Sequence, residues 1–317
     1  MTAEHRTVFV AGATGSMGLA AVEALRSAGH EVVGVARSEE GGSELRRLGA
    51  SAVKVDLFDT KALTAAMHGA DAVVHFATKI PQGKAMLKAA NWEQNDHLRR
   101  GGTRALLEAA RQNGIRRFIF ESLAMAYPNG GADWLDETVP LAPQVTFMQS
   151  VLDAEAMLAE FGREGGEPVA LRYSRIYGPG RASDGFLDVV AQRGMPIIGT
   201  GENYVSSIHT DDVGTSVVAA LGATPGVYNV SDDEPVWQRD YVTTLANALM
   251  APSPRRVPTW MARMLMGKAT GVMTSSQRVS NRRFREETGW APALRSVEEG
   301  WPNVVRRSGR IARVVAA

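Results

Sequence analysis

Apolar residues in the first half of the chain fall into short runs rich in Val, Ile and Phe, separated by segments of helical period. Such runs predict strands at residues 8–11, 32–35, 52–55, 72–76, 118–121 and 169–171. Between the first two, residues 17–28 read as a helix that Gly29 ends, and residues 105–113 repeat the pattern with Gly114 as the stop. Strands alternating with helices predict βαβ units, hence an α/β fold on a parallel sheet. Further on, residues 227–230 form one more strand-like segment among loops rich in Pro and Gly. Residues 251–258, Ala-Pro-Ser-Pro-Arg-Arg-Val-Pro, read as a linker because proline breaks helices. Residues 260–266 concentrate Trp260, Met261, Met264, Leu265 and Met266 and admit two readings. They form either an apolar helix packed on the core or an adaptable, thioether-rich wall of a substrate pocket.

The first helix starts in a glycine-rich loop, Gly12-Ala-Thr14-Gly15-Ser16-Met17-Gly18. Glycine lets the backbone turn tightly and approach a ligand, while the free N–H groups and dipole of a helix start attract an anion. With strand, loop, helix and a second βαβ unit in that order, the pyrophosphate of a dinucleotide is the expected ligand. The second strand refines this. Sites for NAD place an acid about 20 residues after the loop, whereas here the strand ends Val33-Gly-Val-Ala36-Arg37-Ser38. A guanidinium at Arg37 complements a 2′-phosphate that a carboxylate would repel. NADPH is therefore the expected cofactor.

Composition narrows the remaining classes. Net charge is +1, so no basic field recruits nucleic acid or an anionic membrane. With no cysteine, disulfides, thiolate catalysis and cysteine-based metal sites are excluded. The histidines stand at 5, 30, 68, 75, 97 and 209, without the short spacings of a metal motif, and no metal is expected. No apolar stretch precedes the first strand and no apolar run reaches the roughly 18 residues of a membrane span. The expectation is a soluble, cytoplasmic protein with a small-molecule partner and no signal peptide. Its 317 residues suffice for one large α/β domain or a main domain plus a smaller one.

The glycine loop, Val55-Asp56-Leu57, His75-Phe76-Ala77 with Thr78, Gly102-Thr103 followed by Leu106-Leu-Glu-Ala-Ala110, and Leu171-Arg-Tyr173-Ser-Arg-Ile-Tyr-Gly-Pro-Gly180 occur together. In this the chain resembles the extended short-chain dehydrogenases/reductases, the epimerase/dehydratase-like group. His209-Thr-Asp-Asp-Val213 and Gly226-Val-Tyr-Asn-Val230 carry the resemblance to about residue 240. It implies a Rossmann doubly wound parallel sheet over residues 1–175, to which some later segments return. A smaller, mainly substrate-binding region is implied over 176–317. The resemblance also places Asp56 on the adenine amino group and Leu57, Phe76, Ala77, Thr78 and Tyr173 along the cofactor.

That family works with a Ser or Thr after the fifth strand and a Tyr with a Lys four residues later, the lysine's charge making the phenol acidic. Aligned on Phe118 to Tyr127, the hydroxyl position falls on Leu123, with Ser122 one residue earlier. Aligned through Ser150 and Glu155, the Tyr and Lys positions fall on Phe147 and Val151. All three are apolar, which leaves Ser122 as the candidate hydroxyl. Leu98 stands where the family often has Asn, with Asn95 one turn earlier. Hydride transfer needs an electrophilic carbon held close to the nicotinamide, and positioning supplies much of the rate. The proton then comes from water, from Ser122 or from a phenol of the substrate. Oxidising a sugar alcohol requires a base, so the vacant set disfavours epimerase and dehydratase chemistry.

Val205 holds the place of an arginine that grips the substrate diphosphate in sugar-nucleotide members, and a valine cannot do so. An apolar or aromatic substrate is expected unless Arg181 or Arg175 substitutes. In its vacant catalytic set the chain is similar to the atypical ketoreductases of actinomycete antibiotic pathways that act on angucyclinone-type polyketides. The expectation is NADPH-dependent reduction of a polycyclic aromatic ketone. A catalytically silent NADP-binding regulator and a nucleotide-sugar epimerase/dehydratase with relocated catalytic groups remain as alternatives.

Overall fold

The computed structural model describes residues 5–81, 85–86, 88–143, 145–267 and 269–309. Strands β1 (Thr7–Ala11), β2 (Glu31–Val35), β3 (Ser51–Val53), β4 (Ala72–His75) and β5 (Arg117–Leu123) follow in turn. After the short β6 (Trp134–Leu135) come β7 (Glu167–Tyr173) and, from much later in the chain, β12 (Gly226–Val230). These strands, apart from β6, form one parallel sheet in the order β12-β7-β5-β4-β1-β2-β3. This is the doubly wound Rossmann arrangement, with the order reversing between β1 and β4. Four further two-stranded pairs lie outside it: β8 (Arg175–Tyr177) with β11 (Ser207–His209), β9 (Ile197–Ile198) with β14 (Arg256–Val257), β10 (Tyr204–Val205) with β13 (Val236–Trp237), and β6 with β15 (Arg278–Val279).

Helices cover both faces because the strands are apolar on both. On one face α1 (Ser16–Ser27), α2 (Glu39–Arg47) and α8 (Thr210–Ala220) bury residues such as Val22, Leu45 and Val217. On the other, α3 (Thr60–Ala66), α5 (Thr103–Gln112) and α6 (Thr146–Arg163) bury Leu63, Leu106 and Leu158. The helix α4 (Glu93–His97) runs into α5 through a π-helical stretch, Leu98–Gly102. A separate cluster around Trp301 joins α7 (Asp184–Ala191), α9 (Gln238–Ala248) and α13 (Val297–Arg307). The short helices α10 (Thr259–Met266), α11 (Ala269–Thr274) and α12 (Arg282–Thr288) complete the described chain.

Several expectations need correction. The helix expected at 105–113 begins earlier, since α4 and the π stretch precede it. The Gly101-Gly102 pair disfavours a helix by intrinsic propensity. It is held by packing, with Gly101 against the Phe58 ring and Gly102 against Leu98. Residues 251–258 are not a free linker, because β14 pairs with β9 inside them. On α10, Ala262 is buried while Trp260, Met264 and Leu265 are 63%, 79% and 74% exposed, so this helix is not packed on the core. No described helix is long and apolar enough to cross a membrane.

Candidate active site

In open α/β sheets ligands bind outside the carboxyl ends of the strands where the strand order reverses. A cavity of about 730 Å³ opens there, at β1 and β4, lined by Gly12, Thr14, Gly15, Arg37, Asp56, Leu57, Phe76, Ala77 and Thr78 among others. The loop that forms its floor excludes a side chain at two of its glycines. Gly12 has φ +84°, and a Cβ there would lie 2.5 Å from the Ala77 nitrogen. A Cβ on Gly18 would lie 2.1 Å from the Gly12 carbonyl oxygen. Helix α1 starts at Ser16 with Gly15 as N-cap, and no side chain caps it. The first-turn N–H groups at Ser16, Met17 and Gly18 are thus left for an anion. The cradle fits a dinucleotide pyrophosphate.

Three cationic side chains, Arg37, Lys54 and Arg181, line this cavity. Arg37 follows β2 and Lys54 follows β3, and both line the wall beside Val35 and Val55. Lys54 went unnoticed in the sequence, where it is one lysine in a short strand; only the β2–β3 pairing brings it beside Arg37. One oxygen of Asp56 accepts from the Phe58 backbone N–H at 3.0 Å, which fixes the side chain at the rim. Arg181 also lines this cavity and donates to the Thr14 carbonyl at 3.4 Å, so it belongs to the cofactor side and not to a substrate diphosphate. Leu98 lines the wall, whereas Asn95 is buried and accepts from the Lys79 N–H at 3.0 Å. Tyr173 does not reach the cavity. It is fully buried behind Phe76, edge-on to that ring, with its hydroxyl 2.9 Å from the Ser216 hydroxyl.

The catalytic end is built differently. Successive side chains of a strand face opposite sides, so Ser122 and Leu123 at the end of β5 cannot both face a ligand. Ser122 is fully buried and donates to Glu155 of α6, which corrects its candidacy as the catalytic hydroxyl. Glu155 in turn receives Arg172 Nε at 2.9 Å and Nη2 at 2.7 Å. Arg172 Nη1 donates to the Tyr127 hydroxyl, which donates to Asn229 Oδ1, each at 2.9 Å. Every polar side chain of this network is satisfied inside the protein. Val151 on α6 is fully buried. Phe147 stands in the first turn of α6, and its side chain lies outside those described.

Residues 8–231 match the NAD dependent epimerase/dehydratase family. The chain belongs to that family. It is an NAD(P)-dependent oxidoreductase of the extended short-chain dehydrogenase/reductase kind, and a nicotinamide dinucleotide is its cofactor. It is 34% identical over 307 residues to a 3-diazoavenalumate denitrifying reductase of a Streptomyces species, covering 92% of this chain and 98% of the relative. It is 28% identical over 270 residues to a 2-alkyl-3-oxoalkanoate reductase of Stenotrophomonas maltophilia, covering 77% and 76%. Among solved structures, the Thermus thermophilus UDP-glucose 4-epimerase in complex with NAD superposes with a TM-score of 0.78 at 24% identity. That match covers 96% of this chain and 99% of the epimerase and is a likeness of fold.

Two more groups of this family member sit close to the cofactor side. Arg99 and Glu121, both about 2–3% exposed, form a two-pronged ion pair at 3.0 and 2.8 Å. Burial pushes the Glu121 carboxyl up, and the Arg99 charge pulls it back. His75, at the end of β4, accepts the Ala77 N–H at 3.3 Å through Nδ1, and burial holds its pKa down at about 3. It is neutral at physiological pH. On the substrate side, Val205 lines a cavity of only about 10 Å³ together with Ala124, Met125, Ser174 and Arg175. No cluster of His, Asp and Glu suited to a metal occurs among the described residues.

Proposed function

We propose that this protein is an NADPH-dependent reductase of an apolar aromatic compound, a ketoreductase of polycyclic polyketides in antibiotic biosynthesis. The observation that carries the reading is the apolar catalytic set: Leu123 and Val151 hold the hydroxyl and lysine positions, and Ser122 is turned inward onto Glu155. Bound NADPH supplies the hydride. The chain's own part is to hold the cofactor and shape the substrate's surroundings; among the described residues no tyrosine or lysine stands at the family's proton-transfer positions. In a ketone reduction the proton then comes from water or from a phenol of the substrate. Arg37 and Lys54 support the choice of NADPH, since both face the cavity where a 2′-phosphate would otherwise meet an acid.

A second acceptor suits the same set, and the relative named as a denitrifying reductase of a diazo compound favours it. Hydride adding to an aryl diazonium carbon releases dinitrogen with the C–N bonding pair, and no proton is consumed. Absorbance of NADPH, followed with a panel of polycyclic aromatic ketones and aryl diazonium salts, tests both. Steady oxidation with either class is expected; tight NADPH binding without turnover on any member makes the protein a silent NADP-binding regulator. For the cofactor, Arg37→Ala with Lys54→Ala should weaken NADPH by about 10–100-fold and leave NADH unchanged. Wild-type preference for NADH would overturn that choice.

A further inference from the structure

Three inward guanidinium groups around the sheet have carboxylate partners: Arg99 with Glu121, Arg117 with Glu167, and Arg172 with Glu155. A fourth, Arg175 on β8, has none among the described residues. Its hydrogen bond is a long one, from Nη2 to the Val272 carbonyl at 3.4 Å. A half-buried guanidinium without a counter-ion still loses hydration that nothing repays, and its desolvation lowers its pKa from the ordinary value. The neighbouring Ser174 hydroxyl is buried and has no hydrogen-bond partner among the described residues. Both residues line the small substrate-side cavity. Two other polar side chains of its lining are engaged: the Ser206 hydroxyl donates to the Gln277 carbonyl and accepts from the Val279 N–H, and Gln277 Nε2 donates to the carbonyls of Met125 and Tyr127.

The register places this pair beside the position aligned with the family's catalytic hydroxyl. Leu123 of β5 stands beside Tyr173 of β7, so Ser174 and Arg175 emerge next to Ala124, immediately past the family's catalytic hydroxyl position. At about 10 Å³ the cavity has room for one water-sized group, which matches a carboxylate oxygen and not a diphosphate. Val205, Val279 and Ala124 supply apolar wall around it.

We infer that Arg175 and Ser174 anchor a carboxylate of the substrate, so that the hydride acceptor is an aromatic acid. The position of the acceptor rests on the reductase reading above; the binding of the acid does not. The guanidinium meets the carboxylate through two N–H donors, and Ser174 donates its hydroxyl to the same group.

Calorimetry on the full chain saturated with NADPH tests this, using 4-acetylbenzoate, 6-acetyl-2-naphthoate, their methyl esters and UDP-glucose as probes. At least one acid should bind about tenfold or more tightly than its ester. Arg175→Met should erase that preference and Arg175→Lys should restore part of it, with NADPH affinity and thermal midpoint showing that the variants are folded. Ester binding equal to acid binding in wild type, a preference that survives Arg175→Met, or Arg175-dependent binding of UDP-glucose instead of the acids would each overturn the assignment. NADPH oxidation is read separately: acids that bind through Arg175 without being reduced leave the anchor standing and remove the reductase reading.

Discussion

The two halves of the sheet's carboxyl edge are held by opposite means. At β1 and β4 the chain uses backbone against backbone, where Gly12 and Gly18 leave no room for a methyl group. At β5, β7 and β12 it uses buried charge, the Ser122–Glu155–Arg172–Tyr127–Asn229 network. The difference teaches where this protein keeps its polar chemistry. On the cofactor side, N–H groups, Arg37 and Lys54 face outward to a ligand. On the catalytic side the polar groups of that network face inward and bond each other, and Ser174 and Arg175 are left toward the substrate-side cavity.

The largest test breaks the backbone half. Gly12→Val forces a branched side chain into the Ala77 backbone at a positive φ, and NADPH affinity should fall at least about a hundredfold. Fluorescence titration reads the affinity, and near-native binding would show that the loop yields. The charged half is broken by Arg172→Leu, which strands Glu155 in the interior. Urea unfolding should show a loss of about 3–5 kcal/mol, and Glu155→Leu added to it should recover much of that. If the single variant is as stable as wild type, the network is ornament to the fold. The smallest effect sharpens the boundary between the halves. His75 stays neutral in the folded protein, with a pKa of about 3 against 6.5 unfolded. Its contribution is therefore full above pH 6.5 and is lost as pH falls and the unfolded chain takes up the proton. Between pH 7 and 5 this amounts to about 2 kcal/mol. His75→Asn should flatten that part of the stability profile, and an unchanged slope would place its origin elsewhere.

The same division explains which features are legible in the sequence. The glycine loop, the strands of the sheet and Arg37 are local signals, each carried by a few consecutive residues, and they led to the cofactor side directly. Lys54 escaped because its meaning comes from the strand next to it. Ser122 was misjudged for the converse reason: a one-residue offset in a strand reverses the face, and only the Glu155 contact from α6 shows which way it points. The Arg99–Glu121 pair joins residues 22 apart in sequence, through a helix that Gly101 and Gly102 hide from propensity. Residues 259–266 do form a helix, but the exposed Trp260, Met264 and Leu265 are not packed on the core, since an apolar helix names a face without saying what covers it.

The order in which the chain leaves the ribosome gives one of these contacts a further meaning. Helix α1 is buried against α8, whose Gly214 lies so close that a Cβ there would stand 2.4 Å from the Ala20 carbonyl oxygen. Nearly two hundred residues separate the two helices, and the sheet's last strand, β12, follows later still. The amino-terminal βαβ units consequently emerge with an apolar flank open, and it closes only once residues 210–230 have been made. Such distant closure is slow. The nascent chain carries its nucleotide loop in an unfinished frame for most of its synthesis, and the period of greatest exposure to misassociation is set by the position of α8 in the sequence.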